Sequence, residues 1–91
     1  MNNNRRKSIT DLKSRIETLK SQIEEIKDEL ESIQDEEQEA YENMPESFQD
    51  GEKGEKAQAC IDAISDAFYN IETVNDELAD AIESLETAVE K

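Results

Sequence analysis

The chain has 91 residues and a formal charge of −15, from 25 acidic and 10 basic residues, with 34% hydrophobic and 4% aromatic content. That length allows one small domain, and so few apolar side chains exclude a thick, multilayered core. The negative charge argues against direct binding to DNA or RNA, which would have to overcome long-range repulsion, and it favours a basic partner.

Charged residues at 38%, with two glycines and one proline, match the composition of long helices and coiled coils. High net charge and low hydropathy also fit a disordered chain, so periodicity has to separate the two. The N-terminal MNNNRRKS lacks the apolar stretch of a signal peptide, and no segment approaches the ~18 consecutive apolar residues of a membrane span. The expectation is a cytoplasmic protein with no membrane contact, whose residues 1–7 form a disordered basic tail. A single cysteine, Cys60, permits no internal disulfide.

From Ile9 the apolar residues fall at Ile9, Leu12, Ile16, Leu19, Ile23, Ile26, Leu30 and Ile33, with spacings alternating between three and four. This is a heptad repeat, with Ile9 at position a. The register predicts a first helix over about residues 9–44, on the order of 54 Å long, with Ser8 as N-cap and Pro45 at its end. A turn over about 45–56 follows.

The second seam runs Ile61, Ile64, Phe68, Ile71, Asn75, Leu78, Ile82, Leu85 and Val89, and predicts a second helix over about 57–90. Eight heptad positions held in phase on the first segment and nine on the second decide against disorder. Two helices with a short glycine-containing connection fold into an antiparallel hairpin, so residues 8–91 form one all-α domain.

An antiparallel pair sets a positions against d positions. Paired residue numbers summing to 101 join Leu12 to Val89, Ile26 to Asn75 and Ile33 to Phe68, and place Lys13 near Glu86 and Lys27 near Glu72. A sum of 94 would draw Gly51 and Gly54 into the second helix, where each costs about 1 kcal/mol relative to alanine, so 101 is preferred. Asn75 at an a position is either a buried polar residue that fixes register or a solvent-facing asparagine tolerated in a thin seam.

With no histidine and one cysteine, the common zinc sites and histidine-based nucleophilic triads are excluded. The segment DGEKGE, Asp50–Glu55, fails the calcium-loop pattern, with Gly54 where an acid or amide belongs and Glu55 where glycine belongs. No metal, cofactor or catalytic residue is expected, and the chain is read as non-enzymatic.

Charge is unevenly spread. Residues 1–27 carry seven basic and four acidic residues, whereas residues 28–72 carry fifteen acidic residues against Lys53 and Lys56. Such a run is either a solvated face or an acidic tip offered to a basic groove. The candidate partner-binding residues are Glu36, Glu37, Glu39, Tyr41, Glu42, Glu46, Phe48, Asp50, Glu52, Glu55, Asp62 and Asp66. Tyr41, Met44 and Phe48 either close the end of the seam against Ala57, Cys60 and Ile61 or serve as aromatic anchors.

The run DEEQEAYENMPESFQDGEKGEKAQACIDAI, residues 35–64, resembles the middle of a group of small, acidic two-helix proteins of bacteriophages and prophages. The resemblance covers about a third of the chain and implies an accessory protein of a bacterial host cell that binds and blocks a host factor. It supplies no activity and no functional residues. The function expected is therefore an inhibitor that occupies a basic, nucleic-acid-binding surface on a host defence or replication protein. The alternative is a structural coiled coil that only oligomerises. An extra row at position g, Cys60, Ala67, Val74, Ala81 and Ala88, broadens the apolar face of the second helix and predicts a homodimer through it, as a four-helix bundle.

Overall fold

The computed structural model describes all 91 residues. It is an antiparallel helical hairpin with no strands: α1 (Asn3–Glu42), a single turn α2 (Glu46–Gln49) and α3 (Glu52–Glu90). The rod measures 68 × 15 × 13 Å. Its accessible surface of 6647 Å² exceeds the about 5,400 Å² of a compact protein of the same mass. Ile61, 6% exposed, is the one buried hydrophobic residue.

The register is the one with paired numbers summing to 101. Lys13 Nζ lies 3.2 Å from Glu86, and Lys27 Nζ lies 3.8 Å from Glu72. Farther along, the Gln34 amide donates to the Ser65 hydroxyl. All three are contacts between e rows, on one side of the seam.

The helix ends differ from the sequence-based expectation. α1 begins at Asn3 rather than Ile9, because the Asn2 side chain caps it by accepting from the Arg5 N–H at 2.9 Å. Ser8 is therefore not the cap; it lies inside the helix and donates to the Asn4 carbonyl. Nor are residues 3–7 a disordered tail. Arg6 Nε donates to the Val89 carbonyl at 3.2 Å, bringing a cation to the C-terminal end of α3, where the helix dipole favours it.

The turn is also shorter than 45–56. α1 ends at Glu42, Pro45 precedes α2, and α3 starts at Glu52 instead of Ala57. The Gln49 amide donates to the carbonyls of Tyr41 (3.0 Å) and Met44 (3.2 Å), so a side chain from α2 satisfies the end of α1, whose last turn has no basic residue. Gly54 thus lies in the first turn of α3 and is buried. Its φ is not positive, so left-handed geometry does not explain it. Close approach does: a Cβ there would lie 1.9 Å from the Gln49 carbonyl oxygen.

α1 is rolled about its axis relative to a symmetric a/d seam. Its a row (Ile9, Ile16, Ile23, Leu30) and its e row (Arg6, Lys13, Lys20, Lys27, Gln34) are half-buried. The d row is not: Leu12, Leu19, Ile26 and Ile33 are 46%, 51%, 51% and 48% exposed. The long e-row side chains lie across α3, with Lys27 Nζ 5.3 Å from the Phe68 ring centroid, and the roll that seats them swings the d row outward.

Asn75 is inside the seam and not solvent-facing. Its Oδ1 is buried without a hydrogen-bond partner. Leaving such a group unpaired costs about 1–3 kcal/mol, so Asn75→Leu should raise the urea midpoint, by about 1–2 kcal/mol of stability. Gly54→Ala should act oppositely. Helix propensity alone would favour alanine by about 1 kcal/mol, but the clash with Gln49 forces the turn apart, and a net loss of about 1–3 kcal/mol is expected. Urea unfolding followed by circular dichroism checks both, and a stabilised Gly54→Ala would refute the close-approach argument.

Candidate functional site

Folding turns the uneven sequence charge into a spatial gradient. The open end of the rod, residues 1–27 and 73–91, has eight basic and ten acidic residues, net −2; the closed end, residues 28–72, is net −13. The open end holds the cross-helix pair Lys13–Glu86, while Lys27–Glu72 marks the boundary between the halves. Beyond that boundary no ion pair joins α1 to α3. Lys56 pairs with Glu52 at 3.2 Å within its own helix, and Lys53 Nζ sits 5.1 Å from the Phe48 ring centroid.

The residues expected at the tip are spread over all three helices. From α1, Glu36, Glu39 and Glu42 are exposed, whereas Glu37 and Tyr41 are half-buried because they continue the a and e rows onto α3. Glu46 and Phe48 of α2 are exposed, as are Asp50, Glu52, Glu55, Asp62 and Asp66. Phe48, 48% exposed, stands at the end of the rod. Met44 and Ala57 are half-buried there beside buried Ile61, whereas Cys60 is exposed and takes no part in closing the seam.

One aromatic escaped the sequence reading. Tyr69 is 66% exposed and meets Phe68 edge-on, ring centroids 5.8 Å apart. It sits at position b, off every apolar row, and that displacement was the signal available. Phe48 and Tyr69 therefore both stand in the acidic half.

The g row of α3 is divided: Ala67, Ala81 and Ala88 are half-buried in the hairpin, while Cys60 and Val74 are exposed. No group of three Asp, Glu, Cys or His residues is arranged to hold a metal ion. Surface depressions are shallow grooves, such as the one between the helix ends lined by Thr10, Lys13, Glu86, Val89 and Glu90. No helix is long and apolar enough to cross a membrane. Comparison with protein-family models, with curated proteins and with solved structures returns no match in any of the three.

Two ionisable groups are displaced from their ordinary values. A hydrogen bond to Glu86 raises Lys13 above 10.5 against an opposing desolvation, with the Glu86 and Glu17 charges adding to it. Glu24 is lowered below 4.5 by a hydrogen bond from Lys20, at 2.7 Å, then by the Lys20 charge and, less, by the Asn75 amide and Lys27.

The signs follow from linkage. Lys13 stabilises the fold fully below about 10.5, and this is lost as pH rises through its higher folded value. Glu24 stabilises the fold above about 4.5, and this is lost as pH falls through its lower folded value. Acid also relieves the repulsion within a chain of charge −15, so wild type must be compared with variants rather than with itself. The stability gap between wild type and Glu24→Gln should close on acidification below 4.5, and that between wild type and Lys13→Met should close above 10.5, in urea titrations across pH. Gaps independent of pH would refute the assignment.

Proposed function

We propose that the chain is a non-enzymatic, protein-binding accessory protein that inserts its acidic end into a basic surface of a partner, of the kind that otherwise holds nucleic-acid phosphate, and thereby blocks it. The observation that carries this reading is the segregation of charge. The acidic half spans about half of the 68 Å rod and is net −13, about one net charge per 2.5 Å of axis. Duplex DNA carries one charge per about 1.7 Å and a single strand one per about 3.4 Å, so the acidic half falls between them.

The two lysines in this half are engaged with Glu52 and Phe48, which leaves the acidic side chains little local neutralisation. Phe48 and Tyr69 supply amphipathic or apolar anchors of the type enriched at interface hot spots, set among groups that steer association. The resemblance of residues 35–64 to phage proteins makes the partner a basic host protein of defence or replication, met in the bacterial cytoplasm.

A module that only oligomerises is favoured by a different observation, the half-exposed row Leu12, Leu19, Ile26 and Ile33. Affinity capture from bacterial lysate with the tagged full chain separates the readings. A basic nucleic-acid-binding protein should be retained at low salt, released at high salt and displaced by duplex DNA. Replacing Glu36, Glu39, Glu46 and Asp50 by their amides should weaken retention at least tenfold. Recovery of the chain alone, or retention indifferent to salt and to those substitutions, would refute an acidic-end interface.

A further inference from the structure

We propose that two copies of this hairpin pair antiparallel, with the d row of α1 and the g row of α3 forming a shared apolar face. The contacts between e rows place the polar side of the seam on one flank of the rod: Lys13–Glu86, Lys27–Glu72 and Gln34–Ser65. The d row of α1 and the g row of α3 both lie on the opposite flank, by the angular order of heptad positions. That flank carries four aliphatic residues of α1 at 46–51% exposure, with Val74 of α3 at 45%. The expected interface of Cys60, Ala67, Val74, Ala81 and Ala88 is thereby recast: small residues of α3 form the floor, and large residues of α1 supply the contacts.

Self-complementary spacing identifies the occupant as a second copy. Antiparallel pairing through a two-fold axis midway between Leu19 and Ile26 sets Leu19 on the partner copy's Ile26 position and Leu12 on its Ile33 position. The midpoint of this row, 22.5, is also the midpoint of α1, whose ends are residues 3 and 42. The helices then overlap along their whole length. A face about 60 Å long and about 15 Å wide buries on the order of 900 Å² per copy, the size of a standard stable interface.

Charge selects the orientation. Antiparallel pairing lays the net −13 half of each rod beside the net −2 half of the other, whereas parallel pairing sets −13 beside −13. Along the g row of α1 the same axis brings Arg15 toward the position of Glu29 in the second copy and Gln22 toward its own equivalent. A groove of about 300 Å³ beside this axis, lined by Arg15, Thr18, Leu19 and Gln22, has room for an incoming side chain. The dimer is a four-helix bundle whose two closed ends point in opposite directions, each with its faces away from the shared flank still exposed. This inference does not rest on the acidic-end reading and survives its failure.

Sedimentation equilibrium of the full chain should report about twice 10.4 kDa. The double substitution Leu19→Glu with Ile26→Glu should give a monomer that keeps its helical circular dichroism, since both positions are half-exposed in the hairpin. Orientation is read by disulfide formation in a Cys60→Ser background. Gln22→Cys alone should crosslink, Ile33→Cys alone should not, and Ile33→Cys mixed with Leu12→Cys should. A wild-type monomer at high micromolar concentration, or a double variant still dimeric, would overturn the interface. Ready crosslinking of Ile33→Cys alone would overturn the antiparallel arrangement.

Discussion

Two helices touch along a single line, and that limit governs the rest of this molecule. Each can turn only one narrow stripe toward the other, so a chain with two apolar rows on α1 and three on α3 cannot cover them all. One buried hydrophobic residue in 91 is the direct result. The seam is a strip of half-buried side chains, and the specificity of the pairing has to come from features beyond apolar burial. The basic e row of α1 meets this need, with Arg6, Lys13, Lys27 and Gln34 each reaching a named acceptor or aromatic partner on α3. Individually such solvent-screened contacts contribute little. Together they distinguish this register from one displaced by a heptad, which would set Lys20 beside Glu72 and leave Lys27 facing Ser65.

Seating the e row has a geometric consequence for the opposite flank. A helix rolled toward e moves its d positions away from the seam, and aliphatic side chains that periodicity assigns to a core become half of an outer surface. The hairpin satisfies its ionic contacts at the expense of apolar burial on the far flank. Asn75 belongs to the same compromise: its amide lies near Glu24 and the lysines of the e row, while its oxygen is buried unpaired. The a position is thus polar on the side where α1 is polar.

Much of this was legible in the sequence, and what was missed has identifiable physical causes. Strict three-and-four spacing from Ile9 to Ile33 and from Ile61 to Val89 suffices for two helices that pack antiparallel; choosing the register takes the helix penalty of Gly51 and Gly54 as well, and the partners it gives Lys13 and Lys27 are those observed although Gly54 lies inside α3. Heptad position gives the side of a helix but not its roll, because roll depends on how long side chains such as Lys27 compete with Leu and Ile for the same groove. The ends were misplaced for local reasons. Asparagine caps a helix as well as serine does, so Asn2 takes the role expected of Ser8, and helix propensity favours Gly54 outside a helix whereas the Gln49 backbone lies where a Cβ would stand and requires glycine inside it. The acidic residues of the tip follow from the distribution of charge along the chain, whereas Tyr69, at position b, lies off the apolar rows that heptad spacing makes legible.

The distribution of stabilising contacts along the rod bears on how an end so heavily charged remains folded. Cross-helix ion pairs reach only as far as Lys27–Glu72, and past that point fourteen carboxylates stand against two lysines, a repulsion that acts over the ~8 Å screening length of physiological salt. Where ionic contacts end, the tightest packing begins. Ile61 is the buried hydrophobic, Gly54 lets α3 start against the backbone of Gln49, and the Gln49 amide donates to the Tyr41 carbonyl at the end of α1 and to the Met44 carbonyl just past it. These features all lie in the turn or the first turns after it. The turn acts as a clasp holding together two helices that electrostatics alone would separate, and it does so with uncharged groups, whose contribution salt and pH scarcely alter. The acidic surface can therefore stay unneutralised, because close packing and backbone capping supply at the closed end the cohesion that ion pairs supply at the open end.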